Sequence, residues 1–275
     1  MKKILIVGHG FVGQAVDYGF SHRYVEKTIV DPKYGTTIDG LDHSSFDFIF
    51  VCVPTPMGAD GSIDYAILDS VMEQLGPALN CLNPPTIVIK STVTPDIIDR
   101  WSYWQSVVYN PEFLTERSAK ADFINPDFHI FGGTVSGCKA VEQLYKNYSL
   151  CKPCPVYKMT LVEASYVKYA INTFLSTKVT FFNQLFDSIS KVGGNFSVVA
   201  NAVGSDPRVG HSHTCVPGFD GKQGFGGACF PKDCAAFVNY DNALTLLDKV
   251  ITINNDYRSQ YELDEREKEQ NVNYG

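Results

Sequence analysis

"KKILIVGHGFVGQAVDYGF", residues 2–20, runs from an apolar, β-branched segment straight into three glycines and then into a helical pattern. An unbroken apolar run of this kind predicts a strand buried on both faces, as in a parallel sheet. Gly8, Gly10 and Gly13 fit G-x-G-x-x-G at the turn that follows. There the first glycine permits a tight turn, the second lets the backbone approach a pyrophosphate, and the third lets helix and strand pack closely. The helix N-terminus beyond them, entered through Phe11 and Val12, offers unpaired N–H groups and a positive dipole end to phosphates. Three glycines alone are a weak signal. A second strand-like run, "KTIVD", ends in Asp31, eighteen positions after Gly13. An acid at that distance is placed to meet ribose hydroxyls and disfavours the extra phosphate of NADP, so NAD is the expected cofactor. The competing reading makes Asp31 a turn residue before Pro32.

Working outward, further strand-like runs recur at βαβ spacing: "FDFIFVCV" (46–53), "TIVIKSTV" (86–93), "SVVYN" (106–110) and "HIFGG" (129–133). Between the first two, "SIDYAILDSVMEQLGPAL" reads as a helix, with Ser62 or Asp64 as its cap. The alternation predicts an α/β fold with a Rossmann-type doubly wound parallel sheet. Ligands of such sheets gather beyond the carboxyl ends of strands. Three polar clusters fall there: "PTP" at 54–56, Ser91-Thr92, and "NPEFLTER" at 110–117.

From Leu161 the periodicity turns helical in "LVEASYVKYAINTFLSTKVTFFNQLFDSISKVG". Lys168 and Asn172 are four apart and share a helix face. They either hold a developing oxyanion or belong to a solvated polar stripe. "SVVANAVGSDPRVG" reads as another helix and loop, "HSHTCVPGFDGKQ" as a flap, and the segment from Ala235 to Glu265 as helical. The charged end of the chain reads as a frayed tail. The domains expected are 1–156 for the NAD-binding unit, 157–262 for an all-helical dimerisation unit, and 263–275 for the tail.

"GFGGACFPKD" (224–233) places one thiol, Cys229, between a glycine run and Pro-Lys-Asp. Glycines allow close approach of a substrate and a nearby cation favours the thiolate, so the setting suits a nucleophile. The other seven cysteines are scattered through a chain without a recognisable secretion signal, and free thiols are expected. "CKPC" (151–154) and the pair His211, His213 lack the partners of a four-ligand zinc set, so no metal is expected. A net charge of −7 and the absence of a ~20-residue apolar run argue against nucleic acid or membrane as partner. The protein reads as cytoplasmic.

Taken in order, "GHGFVG", "VCVPTP", "KSTVTP", "NPEFLTER", "EASYVKYAINTFLSTKVTFFN", "DPRVG" and "GFGGACFPKD" resemble the UDP-glucose dehydrogenase family of nucleotide-sugar dehydrogenases. The resemblance covers most of the chain and implies oxidation of a sugar C6 alcohol to a carboxylate with two NAD+. It implies that Cys229 is the nucleophile, that Asp233 activates water or accepts protons, and that Thr92 places that water. Lys168 and Asn172 would stabilise the oxyanion, Glu112 would serve as base for thioester hydrolysis, and Glu116 would support the site. Val53, Pro54, Thr55 and Thr92 would face the cofactor. Phe113, Leu114 and the loop Gly224, Phe225, Gly226, Gly227 would face the sugar nucleotide. Arg208 would reach a partner subunit's substrate, which implies a homodimer. Family members usually continue into a further α/β domain that helps to bind UDP, so the resemblance is to a short form without it. Other sugar nucleotides, two-electron β-hydroxyacid dehydrogenases and a non-catalytic NAD-binding remnant remain as alternatives. Cys229 in its motif counts against the hydroxyacid class.

Overall fold

The computed structural model describes all residues from Met1 to Gly275. The chain forms two compact units: Met1–Thr55 with Asp64–Lys168, and Pro56–Ile63 with Tyr169–Gly275.

The first unit is built on strands β1 (Lys2–Val7), β2 (Val25–Val30), β3 (Phe48–Val51), β4 (Thr86–Ile89), β5 (Val107–Tyr109), β6 (His129–Gly133) and β7 (Val156–Met159). Their order is β2-β1-β3-β4-β5-β6-β7, so the chain switches direction between β1 and β3. All neighbours are parallel except β5 and β6, which run antiparallel, so the sheet is the mostly parallel, doubly wound one expected. Helices α1 (Phe11–Gly19), α2 (Ala66–Leu79), α3 (Pro95–Asp99), α4 (Ala119–Ile124) and α5 (Val135–Tyr148) cover the sheet. Side-chain alternation sorts the strands between two cores. Leu5, Val7, Ile49, Val51, Ile87 and Ile89 pack with α2 and α3, while Ile4, Ile6, Phe48, Phe50 and Val88 pack with α1, α4 and α5. Both faces are therefore covered, which is why these strands read as continuous apolar runs.

α2 begins at Ala66, later than either expected cap allows. Asp64 instead accepts the Ala66 amide at 2.9 Å, and Ser62 closes a turn onto Asp60 at 2.6 Å. β7 follows the CKPC stretch, whose residues 151–155 form neither helix nor strand, and Cys151 there is a free thiol that donates to the Phe123 carbonyl.

The second unit is helical. α6 (Leu161–Lys191) starts in the first unit and continues here, followed by α7 (Phe196–Gly204), α8 (Phe230–Tyr240), α9 (Thr245–Arg258) and α10 (Glu265–Glu269). Phe182, Phe196 and Ala200 join α6 to α7, and Tyr169 stacks on Phe237 at 5.0 Å between α6 and α8. The end of the chain is not a frayed tail. Asp264 and Glu267 form a capping box at the start of α10, and Val272 and Tyr274 pack with Met57. The charges on this segment face outward except for Glu267, which is buried against Arg258. That one inward ion pair, together with the apolar pair beyond it, holds the segment down.

Candidate active site

In the first unit, β1 delivers Gly8 to a sharp turn at φ +86°, and α1 begins three residues later. A methyl group on Gly13 would meet the Gly8 carbonyl oxygen at 2.0 Å, so helix and strand approach as closely as the glycine allows. At Gly10, the N-cap of α1, the same test finds no atom within 4 Å. The helix start is thus open at Gly10, on the side where a pyrophosphate would meet the positive end of α1. Asp31, at the end of β2, accepts the His9 amide at 2.6 Å and the Lys33 amide at 2.9 Å. Burial alone would raise its carboxyl, but those amides and the Lys33 charge hold it below the usual carboxylate range. It is an oriented anion beside the glycine turn, as a ribose contact requires. These residues fit a dinucleotide.

Beyond β3 and β4, Ser91 Oγ donates to the Val53 carbonyl at 2.8 Å and ties the two polar clusters together. Val53 and Thr55 are buried, Pro54 is exposed and Thr92 is half-buried. The third cluster is organised by ions. Lys168 Nζ donates to the Glu112 carbonyl at 2.6 Å and to its Oε1 at 3.0 Å, and Glu112 Oε2 accepts the Leu114 amide at 2.7 Å. Lys168 also lies 5.4 Å from the centre of the Phe113 ring. Lys168 is therefore no member of a solvated stripe. Glu116 sits farther along the same segment, exposed.

A 300 Å³ cavity in this unit is bounded by Lys90, Glu112, Phe113, Phe128, His129 and Tyr145. Lys90 was not singled out in the sequence, although a lysine ending an apolar strand is a signal. Its ammonium donates to Asn110 O and Oδ1, both at 3.0 Å, and burial pushes its pKa down to about 8. Tyr145 completes the network by donating to Asn110 Oδ1 at 2.7 Å.

In the second unit, Cys229 is the half-buried N-cap of α8. The N-terminal end of a helix favours negative charge, a setting that would suit a thiolate. One turn on, Asp233 is 1% exposed and both of its oxygens are taken. Lys232 Nζ donates to Oδ1 and Asn172 Nδ2 to Oδ2, each at 2.6 Å. Asn172 is itself buried, so it too is not part of a solvated face. Lys232, the cation next in sequence to the Cys229 motif's aspartate, is thus the ion-pair partner of Asp233. The glycine loop before Cys229 is held at Gly224 by Asn183 and at Phe225 by Asn254, through amide bonds of 3.0 and 2.6 Å. Arg208 lies apart, exposed and bonded in bidentate fashion to Asp206. His211 and His213 belong to no cluster of metal-ligating side chains. No helix is long and apolar enough to cross a membrane.

Comparison with known proteins places both parts of the chain in one family. Residues 33–149 match the NAD binding domain of the UDP-glucose/GDP-mannose dehydrogenase family, and residues 162–256 match its central domain. NAD is accordingly the cofactor of the first unit. UDP-glucose 6-dehydrogenase TuaD of Bacillus subtilis is 33% identical over 94% of this chain and 64% of its own length. UDP-glucose 6-dehydrogenase of Rickettsia felis is 37% identical over 74% of this chain and 46% of its own. The chain thus spans less than two thirds of these relatives. The solved UDP-glucose dehydrogenase of Pyrobaculum islandicum superposes with a TM-score of 0.76 at 28% identity, covering 92% of this chain and 68% of that one. With two successive domains matched in order, the chain belongs to the UDP-glucose/GDP-mannose dehydrogenase family.

Proposed function

We propose that the protein oxidises UDP-glucose to UDP-glucuronate with two NAD+, holding the half-oxidised sugar on Cys229. The observation that carries the reading is the thiol at the N-cap of α8, with the buried Asp233 one turn behind it, paired to Lys232 and Asn172. When bound, NAD+ accepts one hydride at each of two oxidations, so one alcohol, two NAD+ and one water give one carboxylate, two NADH and three protons.

The residues of the chain do the rest. Gly8, Gly10, Gly13 and Asp31 hold the cofactor, with Val53, Pro54, Thr55 and Thr92 beside it. The Cys229 thiolate adds to the C6 aldehyde, forming a C–S bond and an oxyanion. Oxidation of that thiohemiacetal leaves a thioester, which keeps the sugar tethered between the two hydride losses. Water then breaks the C–S bond, the acid departs and the thiolate returns. Glu112 takes the proton of that water, with Thr92 placing it and Glu116 supporting the site. Lys168 and the second N–H of Asn172 stabilise the oxyanion. Asp233, held by Lys232 and Asn172, helps to activate water or accepts protons.

Phe113, Leu114 and the loop Gly224 to Gly227 would contact the sugar nucleotide. Arg208, exposed and held in shape by Asp206, would serve the substrate of a second copy. A homodimer fits two of the large aromatic side chains exposed on α6, Phe174 and Phe181, which lie two turns apart. NADH release with a panel of UDP-glucose, GDP-mannose and UDP-N-acetylhexosamines tests the reading. Two NADH per UDP-glucose supports it, turnover confined to another sugar nucleotide reassigns the substrate, one NADH per substrate replaces it with a two-electron oxidation, and none across the panel removes it.

A further inference from the structure

The loop that leads to Cys229 contains three glycines, and such a chain does not hold its own shape. In this structure much of its shape comes from the end of the chain. Glu267, at 0% exposure, gathers four donors on its carboxylate. Oε1 accepts the Gly227 amide at 3.1 Å, Arg258 Nη2 at 2.6 Å and the Tyr274 hydroxyl at 2.7 Å, while Oε2 accepts the Asp264 amide at 2.9 Å. The capping box fixes Glu267 in turn, since its own amide donates to Asp264 Oδ1 at 2.8 Å. Arg258 is as buried as its partner and reaches with its other arm to Asp220 at 2.7 Å. Gly226 lies flat against this ion pair: a methyl there would meet Arg258 Nη2 at 2.2 Å and Glu267 Oε1 at 2.5 Å.

We propose that residues 264–274 form a strap that sets the backbone of the glycine loop, with Glu267 as the positioning residue for Cys229, two residues beyond the amide it binds. A carboxylate does this better than a neutral side chain. It is short, it accepts several bonds at once, and Arg258 offsets its charge in the same contact. Displacements of about 1 Å at a reacting atom cost rate heavily, so a loop set in this way matters for turnover. The consequence for turnover rests on the reading of Cys229 as nucleophile, whereas the setting of the loop does not.

Hydrogen–deuterium exchange of the full-length protein separates the two. Glu267→Ala and the milder Tyr274→Phe are compared with wild type at residues 225–228, with amides in the middle of α6 as internal reference. The strap predicts that exchange in the loop rises about tenfold in Glu267→Ala and about threefold in Tyr274→Phe, with the α6 amides unchanged. Should Glu267→Ala fail to fold, Tyr274→Phe alone decides, and unchanged loop exchange in that variant overturns the inference. Unchanged loop exchange in a folded Glu267→Ala overturns it equally. Kinetics form the second arm: Tyr274→Phe is expected to lower kcat about threefold and leave KM for NAD alone. Loop exchange that rises without any change in kcat overturns the positioning role. A wild type that releases no NADH with any sugar nucleotide refutes the proposed function instead, and leaves the strap to be decided by exchange.

Discussion

Lys232→Met would leave Asp233 in the interior with a single donor. Their charges are 2.6 Å apart, on side chains 6% and 1% exposed. At an effective dielectric of about 20 that separation corresponds to an attraction of about 6 kcal/mol, much of it offset by the cost of taking both charges out of water. What remains after deleting one partner is the penalty of an unpaired buried carboxylate, about 3–5 kcal/mol. The bond from Asn172 reduces this penalty without removing it. Urea unfolding at pH 7 should show the loss directly. The double variant Lys232→Met/Asp233→Asn removes the charge with its partner and should lose only about 1–2 kcal/mol, about 2–3 kcal/mol less than the single variant. A single variant within about 1 kcal/mol of wild type would refute the buried triad.

Asp31→Ala should weaken NAD about tenfold or more in a fluorescence titration, by removing a charged hydrogen-bond acceptor beside the glycine turn; unchanged affinity would move the ribose contact elsewhere. Gly226→Ala should lower stability by about 1–3 kcal/mol in denaturant, because Arg258 and Glu267 are pinned and cannot yield to a methyl group. His129 is held neutral, its pKa pushed down to about 4 by burial and the nearby Lys90 charge. The unfolded chain therefore takes up a proton that the folded one refuses between about pH 6.5 and 4, and stability falls as pH drops through that window. His129→Phe should remove about 2 kcal/mol of that acid sensitivity, measured as the difference between melting curves at pH 7 and pH 4.5.

What could be read from the sequence follows from how local each signal is. β1, β3 and β4 are covered on both faces by the two cores, so their apolar runs stand out against the helices between them. The glycine turn and Asp31 depend only on spacing within one βαβ unit. β7 escaped because it is short, with two of its four residues exposed, and it follows two prolines. The partners of Asp233 show the other limit. Lys232 is its neighbour, but Asn172 lies 61 residues away, and no periodicity links them. The folded end of the chain carried a signal that its charge obscured: Asp264 and Glu267 have the spacing of a capping box, and Tyr274 is apolar enough to bury. Arg258, which makes the buried Glu267 tolerable, could be recognised only in three dimensions.

The sulfur of Cys229, in the proposed reaction, carries the substrate between its two oxidations. Glu112→Gln, given UDP-glucose and NAD+ and quenched in acid, should yield a peptide in which Cys229 bears the acyl sugar nucleotide, because the proposed base for hydrolysis is gone. Acid product formed at the wild-type rate, with every Cys229 peptide unmodified, would contradict it.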